Sequence, residues 1–185
     1  MQRIYLDHSA TTPLDVEVFK SMKPYLTVEF GNASSLHTFG QRARTGVERA
    51  REQVASFLGC LPREIFFTSG ATESNNLAIL GLVRRARALD AKRKLNVITS
   101  SVEHPAVLEV CRELKKEEVE VTYLPVTKAG LIRVGDVEKA VRPETILISI
   151  MYVNNEVGTI QPIREIGRLI KGINAGRKKQ AAPSM

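Results

Sequence analysis

Apolar residues recur along this chain in two alternating patterns, a helical spacing and short continuous runs, and the alternation predicts an α/β protein. Between His37 and Leu58, the residues Ala43, Val47, Ala50, Val54 and Phe57 share one helical face, and Gly59 closes the segment. The pattern then predicts a strand over 64–67, a helix over 73–89, a strand over 95–100, a helix over 105–117 and a strand over 119–124. A turn at Lys128, Ala129 and Gly130 and a short helix from Asp136 lead to a strand over 145–153 and a helix over 163–173. Strands alternating with helices imply βαβ units, hence a mostly parallel sheet covered by helices on both faces. The run from Thr145 to Met151 is apolar at nearly every position, as expected of a strand buried on both sides. After residue 173 no further strand pattern follows, so the sheet reads as incomplete. The expected division is a segment over 1–173 and a basic, flexible tail over 174–185.

Composition narrows the class. The chain has 185 residues, 43% hydrophobic and 25% charged, which suits a folded globular protein and not a disordered one. Asp7 and His8 interrupt the opening residues where a signal peptide needs an apolar run, and no run is long enough to span a bilayer, so a cytoplasmic protein without membrane contact is expected. Cys60 and Cys111 are expected to be reduced thiols, and His8, His37 and His104 lack metal-ligand spacing. The net charge of +7 sits mostly on helix faces and ends, at 42–51, 84–94 and 177–179. With only 5% aromatic residues for base stacking and no zinc-finger or RNP-like motif, it does not point to a nucleic-acid partner.

Candidate chemistry lies at predicted strand ends. The stretch Thr68-Ser69-Gly70-Ala71-Thr72-Glu73-Ser74-Asn75-Asn76 places small, hydroxylated and amide side chains between an apolar run and a helix. A helix N-terminus at the carboxyl edge of a parallel sheet offers unpaired N–H groups to an anion, and Ser69, Thr72 and Ser74 add hydroxyl donors. Neither GxxxxGK[ST] nor GxGxxG occurs, so the stretch is not a common nucleotide loop. The same residues also serve as an ordinary helix start, with a Ser or Thr cap and Glu73 in the first turn. Two further loops tip the balance. His104 stands before a helix-starting proline after the 95–100 strand, and Asn154-Asn155-Glu156-Val157-Gly158 follows the 145–153 run. Three polar loops at one sheet edge suit a flat phosphorylated heterocycle.

Taken together, 5–13, Gly31-Asn32-Ala33-Ser34-Ser35-Leu36-His37, 68–76, Glu103-His104 and 153–158 resemble, in order, the cysteine desulfurases, pyridoxal-phosphate enzymes of the class V aminotransferase group. The resemblance runs from Met1 to about Ile173. It implies the first half of the large domain of a fold-type I pyridoxal-phosphate enzyme. Ala71 and Thr72 would hold the phosphate of pyridoxal 5'-phosphate, His104 would stack on its ring and assist proton transfers, and Asn155 would bond its phenolic oxygen. The loops over 7–12 and 32–37 would lie near the substrate mouth. Ala33 stands where the family often has proline, and Tyr152 where it often has histidine.

The resemblance further implies conversion of L-cysteine to L-alanine, with sulfur passed as a persulfide to acceptor or scaffold proteins for iron–sulfur clusters or thio-cofactors, by a homodimer. A selenocysteine lyase, another aminotransferase or a non-catalytic scaffold are the alternatives. The family's cofactor-anchoring lysine, the aspartate on the pyridine nitrogen and the persulfide cysteine all belong to the part that would follow Ile173, and neither Cys60 nor Cys111 matches the last of these. The 185-residue chain by itself is therefore expected to form no alanine or sulfide from cysteine above the rate of free pyridoxal phosphate. Turnover abolished by Cys60→Ser or Cys111→Ser would contradict this.

Overall fold

The computed structural model describes residues 4–181, with side chains described as far as Arg177. The chain divides into two units, Met1–Phe67 and Thr68–Met185.

The first unit is helical. Helix α1, Val16–Thr27, starts at Asp15, whose carboxylate accepts the Glu17 and Val18 N–H groups, and it tolerates Pro24 in its third turn. Helix α2, Thr38–Leu58, starts at His37, whose Nδ1 accepts the Gly40 N–H, and ends where Gly59 turns left-handed at φ 66°. Gly46 gives Tyr25 of α1 its seat, because a Cβ there would lie 2.5 Å from the Tyr25 ring. The strand expected over 64–67 does not form. Pro62–Glu64 is a single 3-10 turn; Ile65 is extended, and the next residues pair with no strand among the described residues. They are tied to α2 instead: the Arg51 guanidinium donates to the Ile65 carbonyl and lies over the Phe67 ring, 5.1 Å from its centroid.

The second unit holds the sheet. Helix α3, Ala71–Leu89, precedes β1, Asn96–Ser100; helix α4, Pro105–Lys116, leads to β2, Glu120–Leu124. Helix α5, Val134–Ala140, leads to β3, Thr145–Ser149, and helix α6, Ile163–Ala181, follows. The order is β2-β1-β3, parallel throughout. Alternate residues of β1 face opposite layers. Val97 packs with Ile79 and Val83 of α3 and Val107, Cys111 and Leu114 of α4, while Ile98 packs with Val137 of α5 and Ile166 of α6.

Three expectations change here. The strand buried on both sides is β1, every residue of which is buried, whereas β3 at the end of the strand order is half-buried throughout. Position in the sheet, rather than apolar content, decides burial. Strand β3 also ends at Ser149, four residues early, because the Met151 N–H turns to a side chain and Val153 bridges Ile160. Helix α6 continues to Ala181, beyond the end expected at 173.

Asn96 pins the amino edge of the sheet. Its amide donates to the Glu120 carbonyl (3.2 Å) and Thr122 Oγ1 (3.0 Å), while its Oδ1 accepts from Thr145 Oγ1 (2.8 Å). One buried amide thus ties all three strands together at their amino ends, beside a register irregularity between β1 and β3 directly after Asn96.

Leu114 is 0% exposed, so Leu114→Ala is expected to cost about 2–5 kcal/mol in urea unfolding. Leu89→Ala, at the exposed end of α3, is expected to cost under about 0.5 kcal/mol. Equal costs would contradict this placement of the core.

Candidate functional site at the carboxyl edge

Strand β1 lies between β2 and β3, so its connection leaves on one side and that of β3 begins on the other. Such a reversal opens a crevice at the carboxyl ends of the strands. The loops after β1 and β3 meet there.

Ala71 is the first residue of α3 and Thr72 the second, both exposed. The helix start is not the side-chain cap that Ser or Thr could have provided. Gly70 occupies the N-cap position, in extended backbone and with no side-chain bond to the helix. Neighbouring side chains are occupied with one another. Glu73 Oε2 accepts both the Ser69 N–H and the Ser69 hydroxyl at 2.6 Å, and these two bonds hold its carboxyl below the usual carboxylate range. Thr68 Oγ1 lies 2.6 Å from Ser74 Oγ. The Thr72 hydroxyl takes no part in this network, and the first-turn N–H groups have no intrahelical acceptor. Phosphate oxygens match that donor set.

His104 caps α4 through Nδ1, which accepts the Ala106 N–H at 3.1 Å. That bond orients the ring and, in the neutral imidazole, leaves the proton on Nε2. The ring itself is exposed. Thr72 and His104 line one hollow of about 430 Å³, with Asn76, Pro105, Ala106, Glu109, Val110 and Glu113. Asn76 also donates its amide to the Thr72 carbonyl (2.8 Å).

Asn155 does not line that hollow. It is exposed on the turn after β3, and its amide donates to Glu156 Oε1 at 2.9 Å. Its neighbour Asn154 is buried and shapes the turn: Oδ1 accepts the Glu156 and Val157 N–H groups, both at 2.9 Å, and Nδ2 donates to the Val102 carbonyl at 3.0 Å. The segments over 7–12 and 32–37 belong to the first unit, where Asn32 Oδ1 accepts the Ser34 N–H at 2.9 Å.

Glu103 carries no role on the sequence reading, although it precedes His104. It is 7% exposed, and its Oε1 accepts from the Ser100 hydroxyl and the Met151 N–H, both at 2.8 Å. Burial pushes its carboxyl above the usual range, against the pull of those two bonds. An acid directly after a buried strand, next to a helix-capping histidine, was the available signal. Cys111 is fully buried; burial first, and then the Glu103 carboxylate, push its thiol upward.

The aminotransferase class-V family matches residues 4–176. The chain belongs to the class-V aminotransferase family. It is 53% identical over 170 residues to the cysteine desulfurase IscS of Dictyoglomus turgidum, covering 92% of this chain and 42% of that protein. To the human cysteine desulfurase it is 51% identical over 170 residues, covering 91% and 36%. Among solved structures, SspA in complex with cysteine has a TM-score of 0.84 at 43% identity, covering 92% of this chain and 48% of that one. A NIFS-like protein has a TM-score of 0.86 at 43% identity, covering 94% and 47%. The chain thus spans about two-fifths of the length of the curated relatives it matches.

Because the folded state holds the Glu103 proton more tightly than the unfolded chain does, this group favours folding at low pH. That contribution is lost as pH rises through its raised folded value. Glu103→Gln keeps an acceptor oxygen without the charge, so the variant is expected to gain stability relative to the unsubstituted chain as pH rises from about 4 through the raised folded value. Urea unfolding across that range checks it; a pH-independent difference contradicts it.

Proposed function

We propose that this chain is the cofactor-cradling portion of a pyridoxal-phosphate-dependent cysteine desulfurase, an enzyme that takes sulfur from L-cysteine and leaves L-alanine. The observation carrying the proposal is the shared hollow of Thr72 and His104 beside a helix N-terminus that no side chain caps. The N–H groups of Ala71 and Thr72 and the Thr72 hydroxyl bind the phosphate, with the dipole of α3 favouring its charge. His104, oriented by the Ala106 N–H, offers a flat exposed face to the pyridine ring and a second nitrogen for proton transfer. Asn155, outside that hollow with its amide on Glu156, would reach the phenolic oxygen from the turn that Asn154 shapes. Bound there, pyridoxal phosphate supplies the electron sink that lets substrate bonds to the cysteine carbon skeleton break.

L-cysteine as substrate is supported by the names of the relatives, one of which is a complex with cysteine. The proposal extends to a homodimer that passes sulfur as a persulfide to acceptor proteins. Neither described thiol serves as the persulfide carrier in this reading. Cys111 is buried with its thiol held protonated, and Cys60 directly follows the glycine that ends α2.

The test joins this segment to the carboxyl-terminal part of the Dictyoglomus turgidum relative. The joined protein is expected to bind pyridoxal phosphate and to form alanine and sulfide from cysteine. Thr72→Ala removes a hydroxyl bonded to a charged acceptor, worth about 1.5–3 kcal/mol, and is expected to weaken cofactor binding roughly tenfold to a hundredfold. Thr99→Ala, inside β1, is expected to leave that affinity in place. Cofactor binding unaltered by Thr72→Ala would leave the 68–76 stretch as a helix start and nothing more.

A further inference from the structure

We propose that Glu103 is a positioning residue for the cofactor site, its carboxylate clasping the end of β1 to the turn after β3 and so setting where His104 and Asn155 stand. This rests on the functional reading above. Glu103 adjoins His104 in the chain, and its Oε1 receives one hydrogen bond from each side of the crevice: the Ser100 hydroxyl closes β1, and the Met151 N–H lies just past β3. A second tie crosses the same gap from Asn154 Nδ2 to the Val102 carbonyl, on the residue directly before Asn155. The two loops bearing His104 and Asn155 are therefore joined twice, once through a carboxylate and once through an amide.

The burial of Glu103 argues that the clasp has a use beyond holding the sheet. An apolar residue would fill a position 7% exposed without the desolvation that raises this carboxyl. No apolar side chain, however, can receive a hydroxyl and a backbone N–H on one oxygen. That double acceptance takes up the Met151 N–H just past the ends of β1 and β3, where the chain bends away into the Asn154 turn. The Glu103 side chain thus ties the start of the second loop to the end of β1. What it supplies is an acceptor oxygen at one place, which glutamine can also supply and alanine cannot.

The test uses the joined full-length protein of the preceding subsection, with pyridoxal phosphate affinity, hydrogen exchange at the Met151 amide and the melting temperature as separate readouts. Glu103→Ala is expected to weaken pyridoxal phosphate binding about tenfold and to speed exchange at Met151. Glu103→Gln is expected to restore both. Val107→Ala removes buried apolar volume from α4 without touching the clasp, and is expected to lower the melting temperature while leaving the affinity unchanged. Unaltered affinity in Glu103→Ala overturns the inference alone, as does equal weakening in the alanine and glutamine variants, which would mean that charge and not the clasp matters. Failure of the unsubstituted protein to bind pyridoxal phosphate overturns the functional reading and this inference with it.

Discussion

Burial of β1 on both faces and along both edges is the constraint from which the rest of the second unit follows. All five of its residues are buried, including Asn96, Thr99 and Ser100. A polar group in such a place must find a partner or lose its hydration uncompensated. Asn96 finds one on each neighbouring strand, and Ser100 finds Glu103. The hydroxyl of Thr99 has no partner among the described residues. Polar residues at the two ends of a buried strand thus do different work. At the amino edge they tie the strands together, and at the carboxyl edge they organise loops.

The carboxyl edge gains its chemistry from what is left over once these pairings are made. Around α3, Glu73 is committed to Ser69, and Thr68 lies against Ser74, so the loop side chains satisfy each other rather than the helix end. The first-turn N–H groups and the Thr72 hydroxyl remain directed to an outside acceptor. At α4 the opposite holds: His104 spends one nitrogen on the cap and keeps the other, together with its ring face. Both outcomes suit one anionic, planar ligand. They arise from local hydrogen bonds and not from any residue reserved for that ligand.

The elements built on periodicity were legible: α2, α3, α4 and the strands β1 and β2 fall within a residue or two of where apolar spacing predicts them. The failures share one cause, which is that a strand is defined by its neighbours. Ile65, Phe66 and Phe67 have strand composition but pair with no strand among the described residues, and the 145–153 run has the composition of a central strand but stands at the end of the order. Helix α1 escaped notice because Pro24 lies inside it and argues locally against a helix. At the site, Thr72 and His104 were legible as polar groups at helix starts. Glu103 was visible as a letter and not as a function, since its partner Met151 lies 48 residues away.

The same carboxylate has a second electrostatic consequence. Cys111 faces the α3–α4 layer, and its thiol is raised first by burial and then by the charge on Glu103. A thiol in that position stays protonated and unreactive at neutral pH, since the thiolate is the nucleophilic form. Glu103 therefore acts in two directions from one place. Its acceptor oxygen ties the loop bearing His104 to the turn bearing Asn155, and its charge adds to burial in raising the Cys111 thiol.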